Sequence, residues 1–187
     1  MMNNSMLCWN VRGLNKLKKQ KDCREFCLAN NVGLAGFLET KVKQTKKMVV
    51  WDKLGLGWKF ETNCHVAETG RIWLCWKPDL YDISILHIGD QWIDCICKAK
   101  ELGLEFYLTV VYAYNEEVEG GTLAPLRKRL WKFLKDVNHQ DMPWIVIGDF
   151  NCPLNLGDRI GGKDVALEEV RKFRKTVDQI QLHEMKT

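Results

Sequence analysis

The feature that most constrains this chain is the stretch Pro143 to Pro153, Pro-Trp-Ile-Val-Ile-Gly-Asp-Phe-Asn-Cys-Pro. Trp144, Ile145, Val146 and Ile147 form a short continuous apolar run, rich in β-branched residues and bounded by proline and glycine. Such a run reads as a strand buried on both faces rather than as a helix. It exits into Gly148, Asp149, Phe150 and Asn151. A carboxylate at the end of a fully apolar strand is costly to hold there, and layered α/β folds bind ligands at strand ends. Asp149 and Asn151 are two apart, so extended geometry points both to one side. An acceptor-only group and an amide facing one spot suit a water and a phosphate oxygen. The same residues also fit a plain turn, for which Gly-Asp with a nearby Asn is ordinary chemistry.

The remaining chain supplies a partner set for such a strand. Ser5 to Val11 is a first strand, followed by a loop and a lysine-rich entry to a helix with Cys23, Phe26, Cys27 and Leu17 on one face. Val32 to Leu38 is a second buried strand that ends in Glu39, and a helix covers part of Gln44 to Leu54. Trp58 to Thr62, Arg71 to Trp76, Tyr81 to His87, Trp92 to Lys98 and Leu104 to Tyr112 read as successive short strands, closely spaced and therefore antiparallel. A helix capped by Thr122 carries the stripe Leu123, Leu126, Leu130, Phe133, Leu134 and Val137. A last helix begins near Asp164, with Leu167, Val170, Phe173, Val177 and Ile180 on one face. No internal repeat or low-complexity linker interrupts the pattern. The expectation is one α/β (α+β) domain over residues 1–187, with many antiparallel strands and a few covering helices.

Composition narrows the class. At 46% hydrophobic and 28% charged residues the chain can bury a core, and its net charge of +4 permits nucleic-acid binding without demanding it. Tryptophans, eight in all, more often fill cores than stack bases. The eight cysteines form no pair of C-x-x-C elements, which argues against zinc. Cys8, Cys75, Cys95 and Cys97 sit in strand-like stretches as small hydrophobes. With a polar N-terminus and no apolar run of membrane-spanning length, the chain reads as reduced and intracellular.

Several strands end in residues that cost something to place there. Asn10 sits in the first, Glu39 ends the second, Tyr112 and Asn115 follow Phe106 to Val111, and Asp149 and Asn151 follow the opening run. Each has a plain structural reading, as a backbone partner, a cap or a half-buried aromatic. As a set they fit a divalent-metal phosphodiesterase. Glu39 offers a hard oxygen to Mg²⁺, which takes one or two carboxylates plus water and phosphate. Asp149 orients and deprotonates the attacking water. Asn10, Asn151 and the Tyr112 hydroxyl hydrogen-bond phosphate oxygens as charge builds on them.

Trp9-Asn10-Val11-Arg12-Gly13-Leu14-Asn15, Leu38-Glu39-Thr40-Lys41, Gly70-Arg71-Ile72-Trp73, Tyr112-Ala113-Tyr114-Asn115 and Gly148-Asp149-Phe150-Asn151 occur in that order. Together they resemble the endonuclease/exonuclease/phosphatase superfamily, and more narrowly the apurinic-endonuclease-like domain of plant non-LTR (LINE-type) retrotransposons. The resemblance spans Trp9 to about Leu182. It implies a four-layer α/β sandwich and Mg²⁺- or Mn²⁺-dependent nicking of DNA, with the exposed 3′ hydroxyl priming reverse transcription. It also implies a nuclear site of action and an original fusion to a reverse-transcriptase domain. By the same resemblance Asn10, Tyr112, Asp149 and Asn151 are catalytic and Glu39 is the metal ligand. Asn115, Arg71, Lys16 and Lys41 are the phosphate- or DNA-binding groups.

Two departures qualify the resemblance. The superfamily's Ser-Asp-His motif is absent, since none of His65, His87, His139 and His183 follows a Ser-Asp pair. The expectation is therefore a C-terminally truncated domain with an incomplete second sheet, an exposed edge and impaired activity. Arg12 stands where relatives that act on abasic sites carry an aspartate, which makes dedicated abasic-site repair a poorer fit. The lysine clusters Lys16, Lys18, Lys19, Lys21 and Lys41, Lys43, Lys46, Lys47 suit either a DNA backbone or a solvated face. Two rival readings stay open. One is an inactive remnant that binds nucleic acid or nothing, the other a phosphatase of small phosphoesters.

Overall fold

Parallel pairing places strand exits side by side, and this chain uses it twice. β1 (Ser5–Asn10) runs parallel to β2 (Val32–Val42), joined by the helix α1 (Leu17–Ala29). β3 (Lys59–Thr62) and β4 (Gly70–Trp76) complete an antiparallel flank, giving a first sheet of order β1-β2-β4-β3. A 3₁₀ turn at Gln44–Lys46 leads into α2 (Lys47–Leu54) before β3. β5 (Tyr81–Ile88), β6 (Trp92–Ala99) and β7 (Leu104–Tyr112) form an antiparallel meander. β8 (Trp144–Asp149) then adds parallel to β7, for the order β5-β6-β7-β8. The computed structural model describes residues 5–67, 70–115, 124–158 and 167–185. The expected cap Thr122, the stripe residue Leu123 and the helix start near Asp164 lie outside them.

The chain divides into two compact units, Met1–Tyr112 with Gln140–Asp149, and Ala113–His139 with Phe150–Thr187. Both sheets belong to the first. Leu34, Leu38, Ile72 and Leu74 of the first sheet pack against Ile93, Cys95, Leu108 and Val110 of the second. On the other face of the first sheet, Ala35, Phe37, Trp73 and Cys75 pack against Cys23 and Cys27 of α1 and Val50 and Leu54 of α2. Half of the tryptophans, Trp58, Trp73, Trp76 and Trp131, are buried, and Trp9 and Trp51 pack partly buried against the core. The described cysteines are free thiols. Burial pushes those of Cys8 and Cys23 up to about 12 and that of Cys27 up to about 11, so they act as small hydrophobes rather than nucleophiles.

Three local expectations change. β2 does not stop at Leu38 but continues through a bulge to Val42. The apolar face of α1 is Cys23 and Cys27 with the buried amide Gln20, whose Nε2 donates to the Leu14 carbonyl at 2.9 Å. Phe26 and Leu17 are exposed instead, and Phe26 rests on Trp9 with ring centroids 5.1 Å apart. β8, expected to be buried on both faces, is half-buried along its length because it is the edge strand of its sheet among the described residues.

The second unit holds α3 (Ala124–Val137) and α4 (Leu167–Gln179). Leu130, Trp131 and Leu134 of α3 and Val170, Phe173 and Thr176 of α4 are buried. Trp131 stacks on Phe173 at 4.7 Å and Phe173 on Phe150 at 4.9 Å. Arg127 and Glu169 pair at 2.6 Å with side chains only 5% and 17% exposed. Arg127 Nε also donates to the Tyr114 carbonyl at 2.8 Å.

That buried pair sets one expectation. Arg127→Met leaves Glu169 as an uncompensated charge and should cost about 3–5 kcal/mol. Adding Glu169→Leu should recover most of the loss, read by urea denaturation of the single and double variants. A second concerns β8. Gly148 has φ 154°, and a Cβ there would lie 2.0 Å from the Val111 carbonyl oxygen. Gly148→Ala should lower stability by about 2–4 kcal/mol in the same measurement, as β8 moves off β7.

Candidate active site

The bulge in β2 builds the site. Leu38 pairs with Ile72 and Val42 with Gly70, so Glu39, Thr40 and Lys41 stand opposite Arg71 alone. Glu39 and Lys41 both adopt left-handed backbone conformations, φ 54° and 55°. Such conformations cost roughly 1–3 kcal/mol each for non-glycine residues and persist only when the surroundings impose them. Here the Arg12–Asn15 loop imposes them. Gly13 N donates to the Glu39 carbonyl at 2.8 Å and Leu14 N to that of Thr40 at 2.8 Å. Asn15 Nδ2 donates to the Lys41 carbonyl at 2.7 Å. Val11 and Leu14 anchor that loop in the core, while Arg12 and Gly13 make its turn at φ 50° and 100°. The motif from Trp9 to Asn15 is thus a clamp on the bulge.

Within the bulge, Thr40 is buried and its hydroxyl donates to the Gly70 carbonyl at 2.8 Å. Gly70 has no room for a side chain, since a Cβ would lie 2.1 Å from Cys64 Sγ. That close approach accounts for the glycine preceding Arg71.

Asn10 ends β1 beside Leu38, and Asp149 ends β8 beside Tyr112. Asn10 Nδ2 donates to Asp149 Oδ2 at 3.0 Å, and Asn10 Oδ1 accepts from Arg12 N at 3.1 Å. Lys41 Nζ lies 2.8 Å from Glu39 Oε1. Burial alone would raise the Glu39 carboxyl, but hydrogen bonds from Lys41, Asn10 and Tyr112 and the Lys41 charge outweigh it and hold it below its usual range. This lowering favours the folded state at neutral pH, and the contribution is lost as pH falls through the folded-state value. The Tyr112 phenol is pushed up to about 12 by burial and by the Glu39 charge, with Arg71 opposing. It therefore stays protonated and donates. The Arg71 guanidinium sits over the Tyr112 ring, 5.6 Å from its centroid.

The structure thus brings Asn10, Glu39, Lys41, Arg71, Tyr112 and Asp149 into one network at the exits of the two parallel strand pairs. Lys16 is exposed at the start of α1. Asn115 and Asn151 belong to the second unit, where Asn115 is exposed. Asn151 does not continue the extended geometry of Asp149. Its φ is 47°, and its amide donates to the Ala113 carbonyl at 2.7 Å. The sequence reading gave no role to Asn63, which is fully buried and hydrogen-bonded to the backbone of Arg71. Its only local signal is an asparagine in a turn between two strands.

The donor set fits a hard divalent cation. It offers the Glu39 carboxylate, paired with Lys41, and the Asp149 carboxylate, which accepts from Asn10. Among the described residues no group of three or more His, Cys, Asp and Glu could enclose a metal. Two carboxylates would suit a hard divalent cation such as Mg²⁺, which takes one or two carboxylates and leaves its other positions to water and substrate. No helix among the described residues is long and apolar enough to cross a membrane.

No protein-family model matches the sequence, and no curated protein matches it. Solved structures do. An AP endonuclease of Leishmania major aligns with TM-score 0.72 at 17% identity, over 92% of this chain and 65% of that one. The endonuclease domain of TRAS1, a telomere-specific non-LTR retrotransposon, aligns with TM-score 0.69 at 14% identity, over 95% of this chain and 72% of that one. An endonuclease/exonuclease/phosphatase family protein of Bacteroides thetaiotaomicron aligns with TM-score 0.54 at 14% identity, over 78% of this chain and 62% of that one. The chain spans about 65% of the length of the Leishmania enzyme. It has the mixed α/β sandwich fold of the endonuclease/exonuclease/phosphatase proteins and resembles a retrotransposon endonuclease domain.

Proposed function

We propose that the chain is the greater part of a metal-dependent DNA endonuclease domain that nicks one strand. The observation that carries this reading is the set Asn10, Glu39, Tyr112 and Asp149, gathered where β1, β7 and β8 end and β2 bulges. The order of the motifs and the TRAS1 likeness favour DNA as substrate, and a reverse-transcriptase partner domain in the parent protein.

In this reading a water oxygen bonds to phosphorus while the bond to the 3′ oxygen breaks, leaving a 3′ hydroxyl and a 5′ phosphate. Asp149 accepts the proton of the attacking water, and Asn10 holds the carboxylate at the angle that requires. Tyr112, protonated at neutral pH, donates to a phosphate oxygen. Arg71 and Lys41 bring positive charge to the diester, with Lys16 as an outer contact to DNA. A divalent cation on Glu39, Mg²⁺ or Mn²⁺, would neutralise charge on the scissile phosphate and its leaving oxygen.

Plasmid nicking tests the proposal. The purified chain should convert supercoiled to open-circular DNA in Mg²⁺ or Mn²⁺ and not in EDTA. Asp149→Ala should reduce the rate at least about 100-fold, the usual worth of a positioned base. Glu39→Gln should shift the metal concentration for half-maximal rate upward. A folded chain that fails to nick in either metal, or nicks equally well as Asp149→Ala, would overturn it. Cleavage of small phosphoesters in place of DNA would assign the site to a phosphatase instead.

A further inference from the structure

Asn63 follows β3 and lies outside the network described above, yet every polar atom it has is engaged. Its Oδ1 accepts from the backbone amides of Arg71 and Ile72, each at 2.9 Å. Its Nδ2 donates to the carbonyls of Gly89 at 3.2 Å and Asp90 at 3.1 Å, in the turn between β5 and β6. Its backbone N donates to the Ile72 carbonyl at 3.3 Å, and its carbonyl accepts from Val66 at 3.2 Å and Ala67 at 3.1 Å. The residue is fully buried.

The two arms of this amide end at the two halves of one pair. One arm holds the backbone of Arg71, in the first sheet. The other holds the turn whose next residue, buried Gln91, accepts from the Tyr112 backbone amide at 2.9 Å. Tyr112 is in the second sheet, and the Arg71 guanidinium sits over its ring. Asn63 is therefore a short rigid bridge between the sheets at the point where the cation meets the phenol. A side chain that served the fold alone could be satisfied at either sheet. This one spans both, and an unmade hydrogen bond in a buried amide leaves a desolvated polar atom, so neither arm gives easily. Thr40, on the Gly70 carbonyl, pins the residue before Arg71 in the same way.

We infer that Asn63 is a positioning residue, which sets the Arg71 cation against Tyr112 and so fixes where a phosphate oxygen is received. The inference rests on the reading of this network as a phosphodiester site. Asn63 touches no substrate in it and acts through Arg71 and Tyr112.

The test reads Arg71 directly. In ¹⁵N-labelled protein the Arg71 Nε–Hε signal, assigned by its loss in Arg71→Lys, should be shielded by the Tyr112 ring. Tyr112→Leu should remove that shift. Asn63→Ala should move the signal to the position of an exposed arginine. Leu54→Ala, a core truncation in α2 with a stability loss of its own, should leave it in place. Asn63→Ser is read in the same way if Asn63→Ala does not fold. An unshielded signal in the unaltered chain, or a signal unmoved in a folded Asn63 variant, would overturn the inference.

Duplex-DNA affinity by fluorescence anisotropy in EDTA gives the second readout. Asn63→Ala and Arg71→Ala should each weaken binding about tenfold, the worth of one charge-assisted contact. The double variant should be no weaker than the worse single, whereas additive losses would overturn the inference. If the unaltered chain neither binds nor nicks DNA, the nuclease reading fails, and the Arg71 signal still decides whether Asn63 positions the pair.

Discussion

The Asn10 amide is the interaction on which the site depends. Its nitrogen donates to Asp149 at the end of one sheet and helps to lower the Glu39 carboxyl of the other, while its oxygen is spent on the turn at Arg12. Two carboxylates brought together repel, and each resists burial. A shared donor and a neighbouring lysine reverse that balance for Glu39, which is held below its usual range although it is only 14% exposed. The parallel pairs make this possible. β1 ends where β2 bulges, and β7 and β8 end together, so four strands deliver polar side chains to one end of the sandwich.

Much of this was legible in the chain. Strand β8, the meander of β5 to β7 and the polar strand ends all follow from short apolar runs bounded by turn residues. These are local signals, and residues a few positions apart determine them. The set Asn10, Glu39, Tyr112 and Asp149 could be named because each breaks an apolar pattern at an exit.

What was not legible depends on partners distant in sequence. The bulge at Glu39 to Lys41 is held by the loop from Gly13 to Asn15, so β2 alone gives no sign that it continues to Val42. Asn63 looks like any turn asparagine until Arg71 and Gly89 are seen to converge on it. Phe26 has helical spacing with Cys23 yet lies outward against Trp9, while the polar Gln20 goes inward because the Leu14 carbonyl needs a donor. Asn151 was assigned to the side of Asp149 on the assumption of an extended chain, and a left-handed residue breaks that alternation. For the bulge and Asn63, hydrogen-bond satisfaction across the fold decided against the local pattern.

Charge balance gives the network its chemical sense. Two carboxylates, Glu39 and Asp149, stand with two cations, Lys41 and Arg71, and the phenol between them stays neutral. The set is compensated at rest, which is why it can persist half-buried. A phosphodiester arriving there adds a negative charge, and Lys41 is already committed to Glu39. In the proposed reading, Glu39 would hold a divalent cation that supplies the missing positive charge, and Lys41 would then face the incoming anion. The resting ion pair and the demand for metal are then two aspects of one electrostatic constraint. That constraint sits in the bulge of β2, where Lys41 and Glu39 pair at 2.8 Å.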